Sequence, residues 1–239
     1  MTLPTPARKR LALFDLDHTL LPLDSDHAWG VFTTTLGWTD PVVFKRRNDA
    51  FFAHYRAGTL DIGEYVRFAT EAVRLQGAEA AAAAHLRFMA EVITPAILPA
   101  ARALVERHRA AGDQLVIVTA TNAFVTRPIA DALGIGELIA VDLVRGEDGW
   151  ITGAIDGIPS AREGKVSRMD AWLAAHGWGW DDVETTFYSD SLNDIALLER
   201  VDHPVATNPD PRLRALAAER GWPILDLFPQ NAPLQNSDA

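Results

Sequence analysis

The segment Leu11–Leu21 reads LALFDLDHTLL, in which an apolar run ends abruptly at Asp15 and Asp17, with Thr19 two positions later. An apolar run without charges is typical of a strand buried in the middle of a parallel sheet. Carboxylates directly after such a strand are costly to keep there unless a cation or a chemical task accounts for them. Because open α/β sheets bind ligands at the carboxyl ends of their strands, we expect these two aspartates to belong to a functional site.

The composition excludes several kinds of chemistry. At 239 residues the chain is long enough for one large domain, or for a domain with an inserted subdomain. It contains no cysteine, which excludes disulfides, thiolate metal ligands and thiol nucleophiles. Its formal net charge of −10 disfavours a general binder of nucleic acid or anionic membranes. No apolar run is long enough to span a bilayer and no signal-peptide pattern is present, so we predict a cytoplasmic monomer or homodimer with no nucleic-acid or membrane partner.

The rest of the chain divides into a helical part and an alternating part. From Pro41 to Ile93 apolar residues recur with the helical period and no strand pattern interrupts them. Beyond Pro99 strand and helix patterns alternate, and the glycines within residues 143–155 are typical of a hairpin. Alternation of this kind predicts a mainly parallel sheet with helices on both faces. We therefore predict an α/β core at residues 1–22 and 95–239, interrupted by an all-helical insertion at residues 23–94, with poorly ordered polar termini.

Four short polar stretches follow predicted strands or open a predicted helix. They are Asp15–Thr19 (DLDHT), Thr119–Asn122 (TATN), Lys165 within EGKV, and Ser189–Asp194 (SDSLND). Their carboxylate oxygens suit Mg²⁺, which takes few protein ligands, whereas a hydroxyl, an ammonium and helix N-termini suit phosphate. A carboxylate can attack phosphorus to form an aspartyl-phosphate, and this chemistry needs positioning and charge stabilisation rather than a serine or cysteine triad.

In this order the four stretches resemble the four motifs of the haloacid dehalogenase superfamily. The helical insertion after the first motif is similar to the cap of its phosphoserine phosphatase-like branch, subfamily IB. The resemblance covers Leu11 to Leu225. It implies a three-layer α/β/α core of Rossmann-like topology with a mainly parallel sheet, an inserted all-helical cap of the C1 type, and Mg²⁺-dependent hydrolysis of a small phosphorylated metabolite.

The resemblance also implies roles for individual residues. Asp15 would be the nucleophile and a Mg²⁺ ligand. Asp17 would be the general acid and then the general base, with its backbone carbonyl on the metal. Lys165 would neutralise charge on the phosphate and the nucleophile. Asp190 would complete the metal site and Asp194 would brace it.

Three further residues would lie around the phosphate. Thr119 would hold a phosphoryl oxygen and Asn193 would lie near it. Ala120 follows the second-motif hydroxyl, a position where the family commonly has glycine.

Substrate choice would belong to the cap. Phosphoserine phosphatases use a glutamate after the first motif and an arginine in the cap, and by spacing Asp24 and Arg67 stand at these positions. The resemblance therefore favours a phosphoserine-like substrate. Asp24 could instead simply cap the next helix. Arg67 could instead be a solvated helix arginine, with its role taken by Arg46, Arg47 or Arg56. Histidinol phosphate is the alternative, because the acidic run Asp24–His27 could hold a cationic group.

Two rival functions remain open at this stage. The same residues could transfer the phosphoryl group to an alcohol instead of water, since the two reactions differ only in the acceptor. A catalytically idle binding protein on the same fold is disfavoured, because the acidic and basic residues that the reaction needs are all present.

Overall fold

The structure is a computed structural model, and it describes residues 8–57 and 59–228. The predicted poorly ordered N-terminal lead-in lies mostly outside these residues, and the predicted tail after Phe228 lies wholly outside them.

The strands in the described part of the chain alternate with helices as predicted. They are β1 (Lys9–Phe14), β2 (Gln114–Asn122), β3 (Glu137–Val141), β4 (Leu143–Arg145), β5 (Ile151–Ile155), β6 (Val183–Ser189), β7 (His203–Thr207) and β8 (Ile224–Leu225).

Six of these strands form one sheet in the order β3-β2-β1-β6-β7-β8, and every neighbouring pair in it is parallel. Within it β1 is an inner strand, with Phe14 opposite Ile117 of β2 on one side and opposite Tyr188 of β6 on the other. The apolar run that opens the sequence is therefore a central strand, as predicted. Asp15, the nucleophile candidate, follows this strand directly. It therefore lies at the carboxyl edge of the sheet, between the ends of β2 and β6. The strands β4 and β5 form the predicted antiparallel hairpin.

The helices fall into an early and a late group. The early group is α1 (Ser25–Thr35), α2 (Pro41–Ala57), α3 (Ile62–Ala69), α4 (Glu71–Phe88) and α5 (Thr94–Ala96), with a π-helical turn at Met89–Ile93. The late group is α6 (Pro99–Ala110), α7 (Ala123–Ala132), α8 (Glu163–Ala175), α9 (Ile195–Leu198) and α10 (Pro211–Arg220). No strand lies among the described residues between α1 and α5. The division of the chain into two domains at residues 23–94 stays a prediction.

None of the described helices is, taken singly, long and apolar enough to cross a membrane. One sharply bent pair, Glu71–Ala96 with Pro99–Ala110, meets the length and composition criteria when its members are taken together.

The late helices cover both faces of the sheet, which confirms the predicted three-layer architecture. Helices α6 and α7 pack on the face that carries Ala12 and Phe14. Helices α8, α9 and α10 pack on the opposite face, which carries Leu11 and Leu13. Because successive strand residues point to opposite faces, the uninterrupted apolar run of β1 supplies side chains to both cores.

An aromatic cluster joins the early helices to the sheet. The Trp29 ring of α1 meets Phe88 of α4 edge-on at 5.2 Å between ring centroids, and Phe124 of α7 at 5.5 Å. Trp29 is only 1% exposed, and aromatic rings of this size dominate the packing energy of such contacts. The early helices are therefore anchored beside the carboxyl end of β2, the end of the sheet at which Asp15 lies.

The end of β2 differs from the prediction. The sequence suggests a strand that stops at Val118 and a polar loop after it, whereas the strand continues to Asn122. Its pairing with β3 shifts register after Val118 and resumes with Asn122 opposite Val141. This irregularity lets the polar stretch Thr119–Asn122 stay in strand conformation, so alternate residues of the stretch point to the same side.

The glycine before Lys165 provides a test of how α8 is packed. A Cβ built on Gly164 would overlap the carbonyl oxygen of Pro159, which is backbone and cannot rotate away. Overpacking of this kind typically costs about 1–3 kcal/mol. We expect Gly164→Ala to lower the free energy of unfolding in urea by about 2 kcal/mol and to reduce activity by displacing the start of α8.

Gly136→Ala is the matched control, because no atom lies within 4 Å of a Cβ built at that position. Equal stability of the two variants would contradict the packing assigned to Gly164.

Candidate active site

The site is centred on a buried lysine held between two aspartates. Lys165 Nζ donates to Asp15 Oδ1 at 2.7 Å and to Asp194 Oδ2 at 2.6 Å, and the lysine side chain is only 1% exposed. Burial alone would lower the pKa of Lys165, but the charges of Asp15 and Asp194 outweigh it and raise that pKa above its ordinary value. Lys165 is therefore a fixed ammonium beside the nucleophile candidate.

The hydroxyl of Thr19 lies between the carboxylates of Asp15 and Asp190. Thr19 Oγ1 lies 3.2 Å from Asp15 Oδ2 and 3.2 Å from Asp190 Oδ1. Burial and the nearby charges of Asp15 and Asp194 raise the pKa of Asp190 well above its ordinary value. The pKa of Asp194 is also raised by burial, although Lys165 opposes the effect. This concentration of carboxylates favours a further cation in the site.

The donor set fits Mg²⁺ better than a metal held wholly by side chains. Among the described residues, no three His, Cys, Asp or Glu side chains converge as a metal-binding group. Asp194 is turned towards Lys165 and Ser189, whose hydroxyl donates to its Oδ2 at 2.7 Å. Asp15 and Asp190 remain, and Mg²⁺ commonly uses one or two carboxylates and completes its shell with water and substrate phosphate.

Asp17 has a different environment from Asp15. Its Oδ1 accepts from the Ser25 amide at 2.9 Å and its Oδ2 from Thr121 Oγ1 at 2.7 Å. Burial, with the neighbouring Asp24 charge, raises the pKa of Asp17 to about 8 against these hydrogen bonds. The surroundings of Asp17 therefore favour the protonated form of its carboxyl group more than those of an exposed aspartate would.

The polar end of β2 lies beside these aspartates. Thr119 is buried, its hydroxyl accepting from the Thr121 amide at 3.1 Å, and its carbonyl accepts from Ser160 Oγ at 2.6 Å. Ala120 is exposed between buried neighbours at this edge of the sheet.

A tyrosine from the early helices reaches the fourth polar stretch. Asn193 lies in the short helical turn that follows β6, and its backbone amide donates to Ser191 Oγ at 3.2 Å. The Tyr55 hydroxyl of α2 lies 3.5 Å from Ser191 Oγ and also interacts with the Asn193 side chain. Helix α2 therefore contacts the loop that carries Asp190 and Asp194.

Two acidic residues lie at the start of α1, and the first of them, Asp24, is close enough to Asp17 to raise its pKa. Asp24 caps α1, with its Oδ1 accepting from the His27 amide at 2.9 Å. Asp26 is buried and accepts from Asn122 Nδ2 at 3.0 Å and from the Tyr65 hydroxyl of α3. Burial, followed by the Asp24 charge, raises the pKa of Asp26 to about 7. The capping alternative for Asp24 is thus realised, and the residue also adds negative charge beside Asp17.

The structure does not bring Arg67 to this cluster. Arg67 and Tyr65 are two positions apart on α3, so they point to nearly opposite sides of the helix. Tyr65 points to Asp26, and the Arg67 side chain is exposed. The prediction that Arg67 grips a substrate carboxylate therefore has no support from its position.

Several residues at the site have a role that the sequence alone did not assign to them. Thr121 holds the Asp17 carboxylate, Ser160 holds the Thr119 carbonyl and Ser189 holds Asp194. Thr121 was open to inference, because it shares a strand face with Thr119 once β2 is extended. Ser160 and Tyr55 carry no local signal, since only the folding of distant segments brings them to the site.

Three comparisons relate this chain to known proteins, and the first two of them show its family. The sequence profile of the haloacid dehalogenase-like hydrolases matches residues 12–199. A histidinol-phosphatase of Neisseria meningitidis serogroup C (strain 8013) is 42% identical over 219 residues, which cover 91% of this chain and 99% of that protein. A crystal structure of a protein of unknown function from Bordetella pertussis Tohama I has a TM-score of 0.88 at 47% identity, and covers 93% of this chain and 100% of its own.

The fold is also that of a more distant enzyme. A phosphoserine phosphatase, in a structure of its phospho-aspartyl intermediate analogue, has a TM-score of 0.61 at 18% identity and covers 93% of this chain and 95% of its own. At this identity the likeness concerns the fold alone. The chain belongs to the haloacid dehalogenase-like hydrolase family, as its motifs predict, and it is a phosphatase of that family.

The raised pKa of Asp26 predicts a pH-dependent stability. The folded protein holds the Asp26 proton with a pKa of about 7 against an ordinary value of 3.8. Its contribution to the free energy of unfolding is therefore fully present below about pH 4 and is lost as the pH rises to about 7. Asp26→Asn removes the ionisation and keeps the carbonyl acceptor. We expect its stability relative to wild type to rise by on the order of 3 kcal/mol between about pH 4.5 and pH 8 in urea unfolding.

Asp61→Asn is the control, since this aspartate likewise lies at the start of a helix, as the N-cap of α3, but is exposed. A stability difference between Asp26→Asn and wild type that does not change with pH would contradict the burial assigned to the Asp26 carboxyl group.

Proposed function

We propose that this phosphatase is a Mg²⁺-dependent phosphomonoester hydrolase that works through an aspartyl-phosphate on Asp15. One observation carries the proposal. Asp15 is hydrogen-bonded to the Lys165 ammonium, whereas Asp17, two residues away, has a pKa of about 8. A carboxylate oxygen that accepts from a buried ammonium, beside a carboxyl group with a raised pKa, suits the roles of nucleophile and general acid.

In the proposed first step a carboxylate oxygen of Asp15 attacks phosphorus, and the bond from phosphorus to the substrate oxygen breaks. Asp17 donates its proton to that leaving oxygen, so the alcohol departs neutral. Lys165 offsets negative charge on the nucleophile and the phosphoryl group. The Thr119 hydroxyl and the Ala120 backbone amide, both at the end of β2, would hold phosphoryl oxygens.

In the proposed second step a water attacks the phosphorus of the aspartyl-phosphate. Asp17, now ionised, removes a proton from that water, and the bond between phosphorus and the Asp15 oxygen breaks to release phosphate. The Thr121 hydroxyl and the Ser25 amide hold the Asp17 carboxylate in place for both transfers.

Asp15, Asp190 and the backbone carbonyl of Asp17 would hold Mg²⁺, with Asp194 as a brace through Lys165. When bound, Mg²⁺ would supply positive charge that stabilises the phosphoryl oxygens. The early helices would act as the cap that encloses a small substrate, since α1 and α2 already contact residues at the carboxyl edge. A cytoplasmic location and a monomeric or homodimeric state stay predictions.

For the substrate we propose a phosphorylated amino alcohol of the histidinol phosphate kind rather than phosphoserine. Phosphoserine carries a carboxylate that needs a cation, but Lys165 is committed to Asp15 and Asp194, and Arg67 faces away. Asp24 instead adds negative charge next to the general acid, where a substrate ammonium could pair with it. The similarity to a histidinol-phosphatase over almost its whole length supports this choice.

The nucleophile assignment predicts the effect of one amide substitution. Asp15→Asn should lower Mg²⁺-dependent release of phosphate from p-nitrophenyl phosphate by at least about 10³-fold, because an amide cannot form the aspartyl-phosphate. Asp170→Asn, the same change at an exposed position of α8, should keep wild-type activity. Full activity of Asp15→Asn would refute the mechanism.

The substrate assignment predicts a selective loss in Asp24→Asn. Asparagine caps helices as well as aspartate does, so α1 should persist while the negative charge is lost. We expect kcat/KM for L-histidinol phosphate to fall by about 10- to 100-fold, the value of a charged hydrogen bond, while p-nitrophenyl phosphate is affected by less than about 3-fold.

Wild-type enzyme should prefer L-histidinol phosphate to L-phosphoserine by about 100-fold in kcat/KM. A preference for phosphoserine, or an equal loss on both substrates in Asp24→Asn, would overturn the assignment.

A further inference from the structure

The loop Thr207–Asp210, which connects β7 to α10, contacts both loops that carry the proposed metal-binding carboxylates. Asn208 Nδ2 donates to the His18 carbonyl at 2.9 Å and to the Thr19 carbonyl at 3.3 Å. Two residues on, the Asp210 amide donates to the Asp190 carbonyl at 2.8 Å. We propose that Asn208 is a positioning residue of the active site, which holds the loop after Asp15 in its working shape.

The oxygen of the same side-chain amide group is bound by the C-terminal part of the described chain. Its Oδ1 accepts from the amides of Leu227 at 2.7 Å and Phe228 at 3.1 Å, and its own backbone amide donates to the Leu225 carbonyl at 2.8 Å. One side chain therefore makes four hydrogen bonds, two to the loop after Asp15 and two to the segment after β8.

The residue type at this position follows from the backbone and from these four bonds. Asn208 has a φ of 48°, in the left-handed region that asparagine tolerates better than most residues. Its amide group offers donors on one side and an acceptor on the other. Aspartate would keep the acceptor and lose the donors, whereas glycine would keep the backbone conformation and lose all four bonds.

The contact matters because of what Thr19 touches. The hydroxyl of Thr19 lies 3.2 Å from carboxylate oxygens of both Asp15 and Asp190. Asn208 holds the carbonyl groups of the two peptide units that flank the Thr19 Cα. His18 is itself left-handed, with a φ of 57°, so the turn needs external support. Release of this turn would move Thr19 relative to both carboxylates, and a displacement of about 1 Å at a reacting group can cost about 100-fold in rate.

The catalytic part of this inference rests on the proposed phosphatase mechanism. Its test therefore combines turnover with amide hydrogen exchange, which is measured without substrate or metal. The variants are Asn208→Gly and Asn208→Asp. Asp202→Ala is the control, because it removes a side chain that accepts from Thr185 N at 2.8 Å, Thr185 Oγ1 at 3.0 Å and Arg8 Nη2 at 2.9 Å.

We expect both Asn208 variants to lower kcat on p-nitrophenyl phosphate by about 10- to 100-fold with KM changed by less than about 3-fold. Asp202→Ala should keep the wild-type kcat even if its Tm falls by as much as that of the Asn208 variants. Amides of residues 16–21 should exchange faster in both Asn208 variants. Amides of residues 227–228 should exchange faster only in Asn208→Gly, because aspartate keeps their acceptor.

A fall in Tm with wild-type kcat in Asn208→Gly and Asn208→Asp would overturn the inference and leave Asn208 a structural residue. If Asn208→Gly does not fold, Asn208→Asp decides alone, since it replaces a single amide nitrogen. Inactive wild-type protein would refute the proposed function instead. The exchange data would then decide whether Asn208 holds residues 16–21, and unchanged or uniformly faster exchange would refute that.

Discussion

The buried ammonium of Lys165 is the constraint on which the rest of the site depends. An unpaired charge at this depth would cost several kcal/mol, so Asp15 and Asp194 must both stay within hydrogen-bonding distance of it. Asp15 directly follows β1, Lys165 lies at the start of α8, and Asp194 lies in the turn after β6. Their pairing therefore fixes three separate elements at one edge of the sheet, and Gly164 allows α8 to begin close enough to take part.

The same lysine leaves the site with more carboxylates than cations. Asp17 and Asp190 both have raised pKa values because they are buried near other acids. A site in this condition gains from any ligand that brings positive charge, which is the physical basis for proposing Mg²⁺ at one end and a substrate ammonium beside Asp24 at the other. The first two aspartates also differ in their partners, because Asp15 accepts from the Lys165 ammonium whereas Asp17 is held by a hydroxyl and a backbone amide.

Much of the architecture was open to prediction from local pattern. The apolar run before Asp15, the alternation beyond Pro99 and the strand-end positions of the polar stretches were sufficient to predict a parallel sheet with a site at its carboxyl edge. Prediction failed at the end of β2, where a register shift after Val118 keeps a polar stretch in the sheet. Residues such as Ser160 and Asn208 could not be found, because each acts on a partner that is far away in the chain and shows no periodicity or motif of its own.

The sequence by itself determined the layer order, the central strand and the chemical identity of the cluster around Asp15, since these follow from periodicity and from residue type at strand ends. Only the tertiary structure decided which aspartate faces the lysine and which is held by a hydroxyl and an amide. It also decided that Tyr65, and not Arg67, points to the acidic cluster, and that Asn208 supports the turn at Thr19. Charge, burial and hydrogen bonding depend on distances between segments up to about 190 residues apart, and those distances exist only in the folded chain.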